Sequence, residues 1–459
     1  MSMFYLKRSS IYKDILYDTI TTTLLSNAII NTSYFNRLRY LKQLGNMHFV
    51  FPSSNGTRFE HSIGTYYLTG YYLENLIKNS LIEEINRPLF DIEYLKKYYL
   101  SKYELEDNEE NINKLINGNI ILLDEYIIEL IKIGGLCHDL GHGPYSHLFD
   151  DWLLEREELK NNKLIYHEYR SIFILKIILE TTTIFNNETN ENIKLNEIIN
   201  NDAYMFISEL IMPTKKTLIN NYIYQIISNK LNGLDVDKMD YLFRDCYYLG
   251  KIKPFELNKV IKSGCVINGN IHFSKQISYD VYQIFRTRYD MHKQFYGNKG
   301  VICVNLMITH IFDKFNNFIN IVDELKNNNL NLFLKLDDGY ILSFPAIYKQ
   351  VCSLPNPIID EIEKIIDNLN KRNIYNCLLV KNFYLNSKID IEQLFKDNNI
   401  INENIIVKQH NIGLGGNKNL FDKIYFYDKN NNSVILQKDE ISYIISSFSQ
   451  EKIIYIIQV

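Results

Sequence analysis

Cysteine is sparse and unpaired: six residues, at 137, 246, 265, 303, 352 and 377, form no CxxC motif, which argues against a zinc ribbon or a disulfide framework. Long apolar runs are missing as well. No 18 consecutive residues are apolar, so no transmembrane helix is expected, and the start, MSMFYLKRSSIYKDILY, lacks the continuous apolar core of a secretory signal. A soluble intracellular protein of cytoplasm or nucleus, without a membrane partner, is the expectation. Excess charge is missing too. With 50 Lys and Arg against 54 Asp and Glu the net charge is −4, so nucleic acid would need a local basic pocket to bind. There is no internal repeat, and the Asn runs at 327–329 and 430–432 read as loops. What is present is ordinary for a folded chain: 46% hydrophobic and 23% charged residues, over a length of 459 that can bury a sizeable core in two or three domains.

Periodicity predicts mostly helix. Residues 34–45 read as a helix closed by Gly45, with Phe35, Leu38 and Leu41 on its inner stripe, and 58–79 reads as a second helix with Arg58 and His61 on one face. Residues 82–118 turn acidic and Asn-rich and read as an exposed insertion. Apolar helix resumes at Ile120–Leu140, and HEYRSIFILKIILE (167–180) is another helix, with His167 at its start. CVINGNIHF predicts a hairpin turning at Asn268-Gly269. Beyond about 330, NIYNCLLVKNF, NIIVKQHNIG, KIYFYDK and KIIYIIQV predict strands. The fold class is therefore mainly α: a helical core over 1–330, with 82–118 inserted, and a smaller α+β lobe over 331–459.

The chemistry concentrates in GGLCHDLGHGPYSHLFD, 134–150. It sets His138 beside Asp139, then His142, His147 and Asp150 in a few residues broken by Gly141, Gly143 and Pro144. One HD pair alone is more often a helix end with solvated histidines; five such groups are harder to explain that way. Two further stripes join them. Asp237, Tyr241 and Asp245 lie four apart, and so do Arg288, His292 and Tyr296, each set on one helical face. His61, His138, Asp139 and Asp237 come from three separate helices and suit iron, manganese, zinc or magnesium, which lowers the pKa of water to about 7. Arg58, Lys238 and Arg288 suit phosphate oxygens, and His142, His147 or His167, held by Asp150, could move protons. Gln43 and Asp245 could bond a sugar hydroxyl, with Tyr241 and Tyr296 against the sugar. Chemistry alone points to a metal-dependent phosphohydrolase of a nucleotide-like ester. The alternatives are another nucleotide as substrate, a monophosphate or cyclic nucleotide, or a regulator that binds nucleotide or nucleic acid without turnover.

NGTRFEHSIG, GLCHDLGHGPYSHLFD, HEYRS and GLDVDKMDYLFRDCYYLG, in that order, resemble the HD-domain deoxynucleoside triphosphate triphosphohydrolases, from about Asp14 to Tyr425. The likeness is strongest to catalytic domains found joined to a sterile-alpha motif, for which the first 13 residues leave no room. The resemblance implies a helical HD-domain core and cleavage of dNTP substrates at the α-phosphate. It implies a divalent transition metal (Fe, Mn or Zn) on His61, His138, Asp139 and Asp237, with Mg on the substrate phosphates. It implies catalytic roles for His142, His147, His167 and Asp150, and phosphate contacts from Arg58, Lys238 and Arg288. Gln43 and Asp245 would hold the 3′-hydroxyl, and Leu44 and Tyr296, beside Tyr241, would exclude a 2′-hydroxyl. His292 joins the substrate-facing stripe, and the protein is expected to form a homodimer or tetramer. Three positions depart from the family pattern. Gly297 stands where a base-side glutamine is usual, and Asn31 and Ser10 stand where nucleotide-activated relatives carry an aspartate and a lysine, which leaves GTP activation open.

Overall fold

The computed structural model describes residues 3–251, 253–352, 354–401, 404–414, 420–443, 445 and 450–459. Its centre is a crossing of three helices, Arg58–Asn79, Glu125–Cys137 and Val236–Tyr248. Two of them begin on a cap that the sequence supplies. Asp124 and Asp235 accept the N–H groups of Ile127 and Lys238, both at 2.9 Å, satisfying donors that the first turn leaves free. Glu125–Cys137 is apolar almost all round, as a helix surrounded by others must be, and Ile127, Leu130, Ile131 and Leu136 are fully buried. Each such side chain contributes about 2 kcal/mol by leaving water. The crossing is tight because Gly64 lacks a side chain: a Cβ there would lie 2.2 Å from Asp240 Oδ1.

The helices His147–Leu154, His167–Thr181, Ser278–Met291 and Lys299–Phe315 surround this centre. The two larger of the four sheets among the described residues pack on these helices. The hairpin Cys265–Ile267 and Asn270–Ser274 turns through Asn268 and Gly269, both at positive φ, and its second strand runs parallel to Tyr425–Tyr427. That sheet therefore joins segments from both sides of residue 330. The other sheet is antiparallel, with Gln450–Gln458 between Asn376–Tyr384 and Ile405–Gly413. The central strand alternates its faces: Ile453, Tyr455 and Ile457 pack with Cys303 and Leu306 of the Lys299–Phe315 helix, while Ile454 and Ile456 pack on Leu394. This packing brings the Ile405–Gly413 strand to the edge of the helical core.

The architecture is mainly α with a smaller α+β region, as expected. Details differ. The expected 34–45 helix stops early: Ser33–Asn36 passes into a 3-10 turn at Arg37–Tyr40, and Leu41 is extended because Lys42 bridges to Thr57. Phe35, Leu38 and Leu41 are buried all the same, and Gln43 and Leu44 fall on a turn. The 82–118 stretch, read as exposed, is so only in its second half; Ile85, Leu89, Leu95 and Tyr99 are fully buried in the main core. Gly300 lies in the first turn of Lys299–Phe315. An N-terminal hairpin, Arg8–Asp14 with Asp18–Thr23, was not expected from the sequence.

Candidate active site

His61 sits in the first turn of Arg58–Asn79, and His138 caps the C-terminus of Glu125–Cys137. Their Nδ1 atoms are engaged behind them, His61 by Asp240 Oδ2 at 2.7 Å and His138 by the Gly135 carbonyl at 2.8 Å. Both rings thereby turn Nε2 to the same point, and the two Nε2 atoms are 3.3 Å apart. Asp237 Oδ1 lies 3.1 Å from His61 Nε2 and 3.4 Å from His138 Nε2. Asp139 closes the set, with Oδ2 3.4 Å from His61 Nε2 and Oδ1 3.4 Å from His138 Nε2. Ligands about 2.1 Å from one ion are separated by roughly 3.0 to 3.4 Å, so the compact group His61, His138 and Asp237 fits a divalent metal, with Asp139 beside it and also held by Arg58. The electrostatics agree. Burial opposes a charge on His61, but its bonds to Asp237 and Asp240 outweigh burial and carry it up to about 10. Burial likewise works against an ionised Asp237, and its bonds to His138 and His61 hold it far below the usual carboxylate range. A field that holds a proton so firmly favours a metal cation in the same place.

A second group stands beside the first. His142 is fully buried, with Nε2 3.2 Å from Asp139 Oδ1, and stacks on His167 at 4.0 Å. His147 meets His142 edge-on at 4.8 Å from the open side of the cavity. Asp150 accepts from His167 Nδ1 at 2.6 Å, and its other oxygen accepts from the buried Arg170. Ligand-type atoms of His142, His147, Asp150 and His167 all lie within 4.8 Å of one another. Their protonation differs by environment. Burial lowers His167, yet the bond to Asp150 overcomes it, and His167 is raised above the ordinary histidine range. His147 has no such bond: the surrounding cavity walls, with Arg58 and His167 nearby, lower it to about 4 although its ring is exposed on the open side.

These groups open on one cavity of about 850 Å³. The residues singled out in the sequence line it, with four exceptions: His61, His142 and Asp150 lie behind its wall, and Lys238 donates to the Gly233 carbonyl at 2.6 Å. Arg58 is buried and fixed, donating to Ser146 Oγ at 2.9 Å and Asp139 Oδ2 at 2.5 Å. Tyr241, Asp245 and Tyr296 form one wall, and Tyr296 donates to Asp245 Oδ2 at 2.7 Å. Burial pushes the Asp245 carboxyl up to about 7, and the Tyr296 hydroxyl only partly offsets this. Asp245 Oδ1 and Gln43 Oε1 are buried acceptors with no hydrogen-bond partner among the described residues. Acceptors left so usually await a donor from a ligand. Arg288 donates to the Gly413 carbonyl at 3.0 Å, and His292 Nδ1 is 3.3 Å from His410 Nε2. The second stripe survives a change of helix type, since Ser278–Met291 passes into a π turn at His292–Tyr296.

Several supporting residues escaped the sequence reading. Arg244 donates to both oxygens of Asp240, at 2.9 and 3.0 Å, and to Asp14 at 2.9 Å, so the partner of His61 is itself held. Asp338 accepts the N–H groups of Lys42 at 2.8 Å and Tyr145 at 2.7 Å, tying the Gln43 turn to the histidine-bearing loop. His410 and Tyr455 reach the cavity from the three-stranded sheet. The i,i+4 spacing of Asp240 and Arg244 was a usable signal, though it reads as an exposed pair. His410 and Tyr455 gave none.

No protein-family model matches the chain. Similarity to individual proteins is extensive. The chain is 34% identical over 452 residues to an HD domain-containing protein of Acanthamoeba polyphaga mimivirus, covering 95% of this chain and 89% of that one. It is 28% identical over 457 residues to the deoxynucleoside triphosphate triphosphohydrolase SAMHD1 homolog of Dictyostelium discoideum, covering 97% and 77%. To the SAMHD1 triphosphohydrolase of Mus musculus it is 27% identical over 496 residues, covering 97% and 68%.

Proposed function

The chain belongs to the HD-domain family that includes the SAMHD1-type triphosphohydrolases, and from that premise we propose that it hydrolyses deoxynucleoside triphosphates to deoxynucleoside and inorganic triphosphate. The observation that carries this reading is the adjacency of two groups on one cavity, the donor set His61, His138, Asp139 and Asp237 and the proton-handling set His142, His147, Asp150 and His167. When bound by the first set, a divalent iron, manganese or zinc ion supplies Lewis acidity towards the phosphate and acidifies water, with magnesium serving the phosphate tail.

The chain's own residues do the rest. Arg58, fixed by Asp139 and Ser146, presents a guanidinium that needs no reorganisation to meet a phosphate oxygen. Arg288 adds positive charge to the tail, and Lys238 joins it on leaving the Gly233 carbonyl. Asp245 Oδ1 accepts from the 3′-hydroxyl, the Gln43 amide donates to its oxygen, and Tyr241 and Tyr296 flank the sugar. A 2′-hydroxyl set against buried Leu44 would lose its water without a replacement, a cost of about 1–3 kcal/mol. In the reaction, a water oxygen bonds to the α-phosphorus and the bond from phosphorus to the 5′-oxygen breaks. His167, held in its acid form by Asp150, gives that oxygen its proton, and the proton lost by water passes to neutral His147.

The test is direct. The purified protein incubated with dGTP and manganese should release inorganic triphosphate in equal amount to deoxyguanosine; pyrophosphate or single phosphate as the only product would overturn the reading. Repeating the assay over the four dNTPs, with and without GTP and alongside a sizing column, reads activation and the expected dimer or tetramer.

A further inference from the structure

One stretch of the cavity wall carries none of the residues assigned above to metal, phosphates or sugar. It is formed by Val301, Ile302, Asn305 and Leu306 on the Lys299–Phe315 helix and by Gln409 and His410 on the Ile405–Gly413 strand. Burial and the nearby Arg288 hold His410 below the ordinary histidine range, and Lys408, two residues before it on the same strand, also lines the cavity and pairs with Glu155 at 3.2 Å. Aliphatic faces mixed with amide and imidazole groups suit a planar heterocycle with polar edges.

Gly297 decides which side chain reaches this stretch. It follows Tyr296 directly, but a Cβ there would lie 2.7 Å from the His292 carbonyl oxygen, 3.1 Å from Tyr455 Oη and 3.3 Å from His410 Cδ2. Residues from the C-terminal sheet have taken the space. Tyr455 is 1% exposed and donates to the Gly297 carbonyl at 2.6 Å, which fixes the strand against this turn. His410 stacks on His292 with ring centres 5.4 Å apart and planes at 27°, and its Nε2 faces His292 Nδ1. That contact orients the ring and leaves Nδ1 as its second polar atom. Across the cavity, Asn305 Oδ1 accepts from buried Asn46 at 2.7 Å, which directs its N–H₂ elsewhere.

We propose that His410 is a specificity-determining residue that reads the edge of the nucleobase together with Asn305, in the place a side chain at 297 would otherwise fill. Base selection in this protein is thus exercised from the C-terminal sheet. The inference rests on the triphosphohydrolase reading above and goes beyond it in naming what distinguishes one dNTP from another.

The experiment measures kcat/KM for dATP, dGTP, dCTP and dTTP by triphosphate release, with manganese, for the full chain and its His410→Ala and His410→Gln variants. Each variant is melted to establish folding, and its ratio of dGTP to GTP turnover is taken. The expected result for His410→Ala is a change of about tenfold in the ratio between the best and worst base, the effect of one lost hydrogen bond in a site built for it. His410→Gln, which keeps polar atoms, should restore part of that ratio, and the preference for deoxyribose should not move in either variant. An equal fall for all four bases would mean a merely structural role and overturn the proposal. If His410→Ala does not fold, His410→Gln decides in the same terms: an altered base ratio supports the proposal and an unaltered one defeats it. Wild-type turnover with base ratios indifferent to both variants defeats this inference alone. No triphosphate from any dNTP with the wild type defeats the underlying reading, and the inference with it.

Discussion

Asp240→Asn is the most informative change at the proposed metal site, because it replaces no proposed ligand and acts only through the partner of one, His61. Asp240 accepts from His61 Nδ1 at 2.7 Å, from Arg244 at 2.9 and 3.0 Å, and from the Tyr17 hydroxyl at 2.8 Å. All these partners are donors, so an amide must turn its N–H₂ towards at least one of them. If the amide keeps its oxygen on Tyr17 and Arg244 Nη2, its N–H₂ faces His61 and moves the ring proton to Nε2, where a metal would bind. If it turns the other way, His61 still loses its anionic partner. Supporting groups of this kind are worth about 10- to 100-fold in metal affinity, or about 1.4 to 2.7 kcal/mol. The stability cost has a ceiling, since Arg244 keeps Asp14 at 2.9 Å. The variant should lose about 1.5–3 kcal/mol, as for one charged hydrogen bond, and not the 3–5 kcal/mol of a buried charge left wholly unpaired. Metal content after dialysis at graded free manganese measures the first quantity and urea unfolding the second. A variant that folds and binds metal as tightly as wild type would refute the argument.

The other predictions concern the remaining parts of the cavity. Asp237→Ala should lose metal and turnover together, and retained turnover would show that the donor set is wrongly assigned. Tyr296→Ala should admit ribonucleotides, raising the ratio of GTP to dGTP turnover by about tenfold or more; an unchanged ratio would remove Tyr296 from sugar selection. Asp245 has a carboxyl raised to about 7, so it gains its negative charge as pH rises through 7 and becomes a stronger acceptor for the 3′-hydroxyl. KM for dGTP should therefore fall between pH 6 and 8 in wild type and stay flat in Asp245→Asn, and the same slope in both would exclude this group. Asp150→Asn removes the partner that raises His167, so the alkaline limb of the pH–kcat profile should move to lower pH, with kcat down about 100-fold.

Much of the fold was legible because helices announce themselves locally. Arg58–Asn79 begins and ends where its apolar period and flanking residues place it, and Asn268-Gly269 has the two positive-φ positions of a tight hairpin. Residues 34–45 failed because their buried stripe of Phe35, Leu38 and Leu41 has the same spacing in a continuous helix as in a broken one; the Lys42 to Thr57 bridge that breaks it is not local. At the site, the residues that stood out carry charge or a ring at helical spacing. Those that hold them in place did not. Asp240 and Arg244 look like an exposed i,i+4 pair and are fully buried, because Asp14 and Tyr17 come from more than two hundred residues away to meet them. His410 and Tyr455 alternate along ordinary strands, and only the packing of that sheet on the Lys299–Phe315 helix brings them to the cavity.

The central claim, that water adds to the α-phosphorus and expels the 5′-oxygen in this cavity, is tested most directly by running the reaction with dGTP in ¹⁸O-labelled water and weighing the products. The account predicts intact triphosphate carrying one heavy oxygen and unlabelled deoxyguanosine. Heavy oxygen in deoxyguanosine, or dGMP with pyrophosphate as the products, would contradict it.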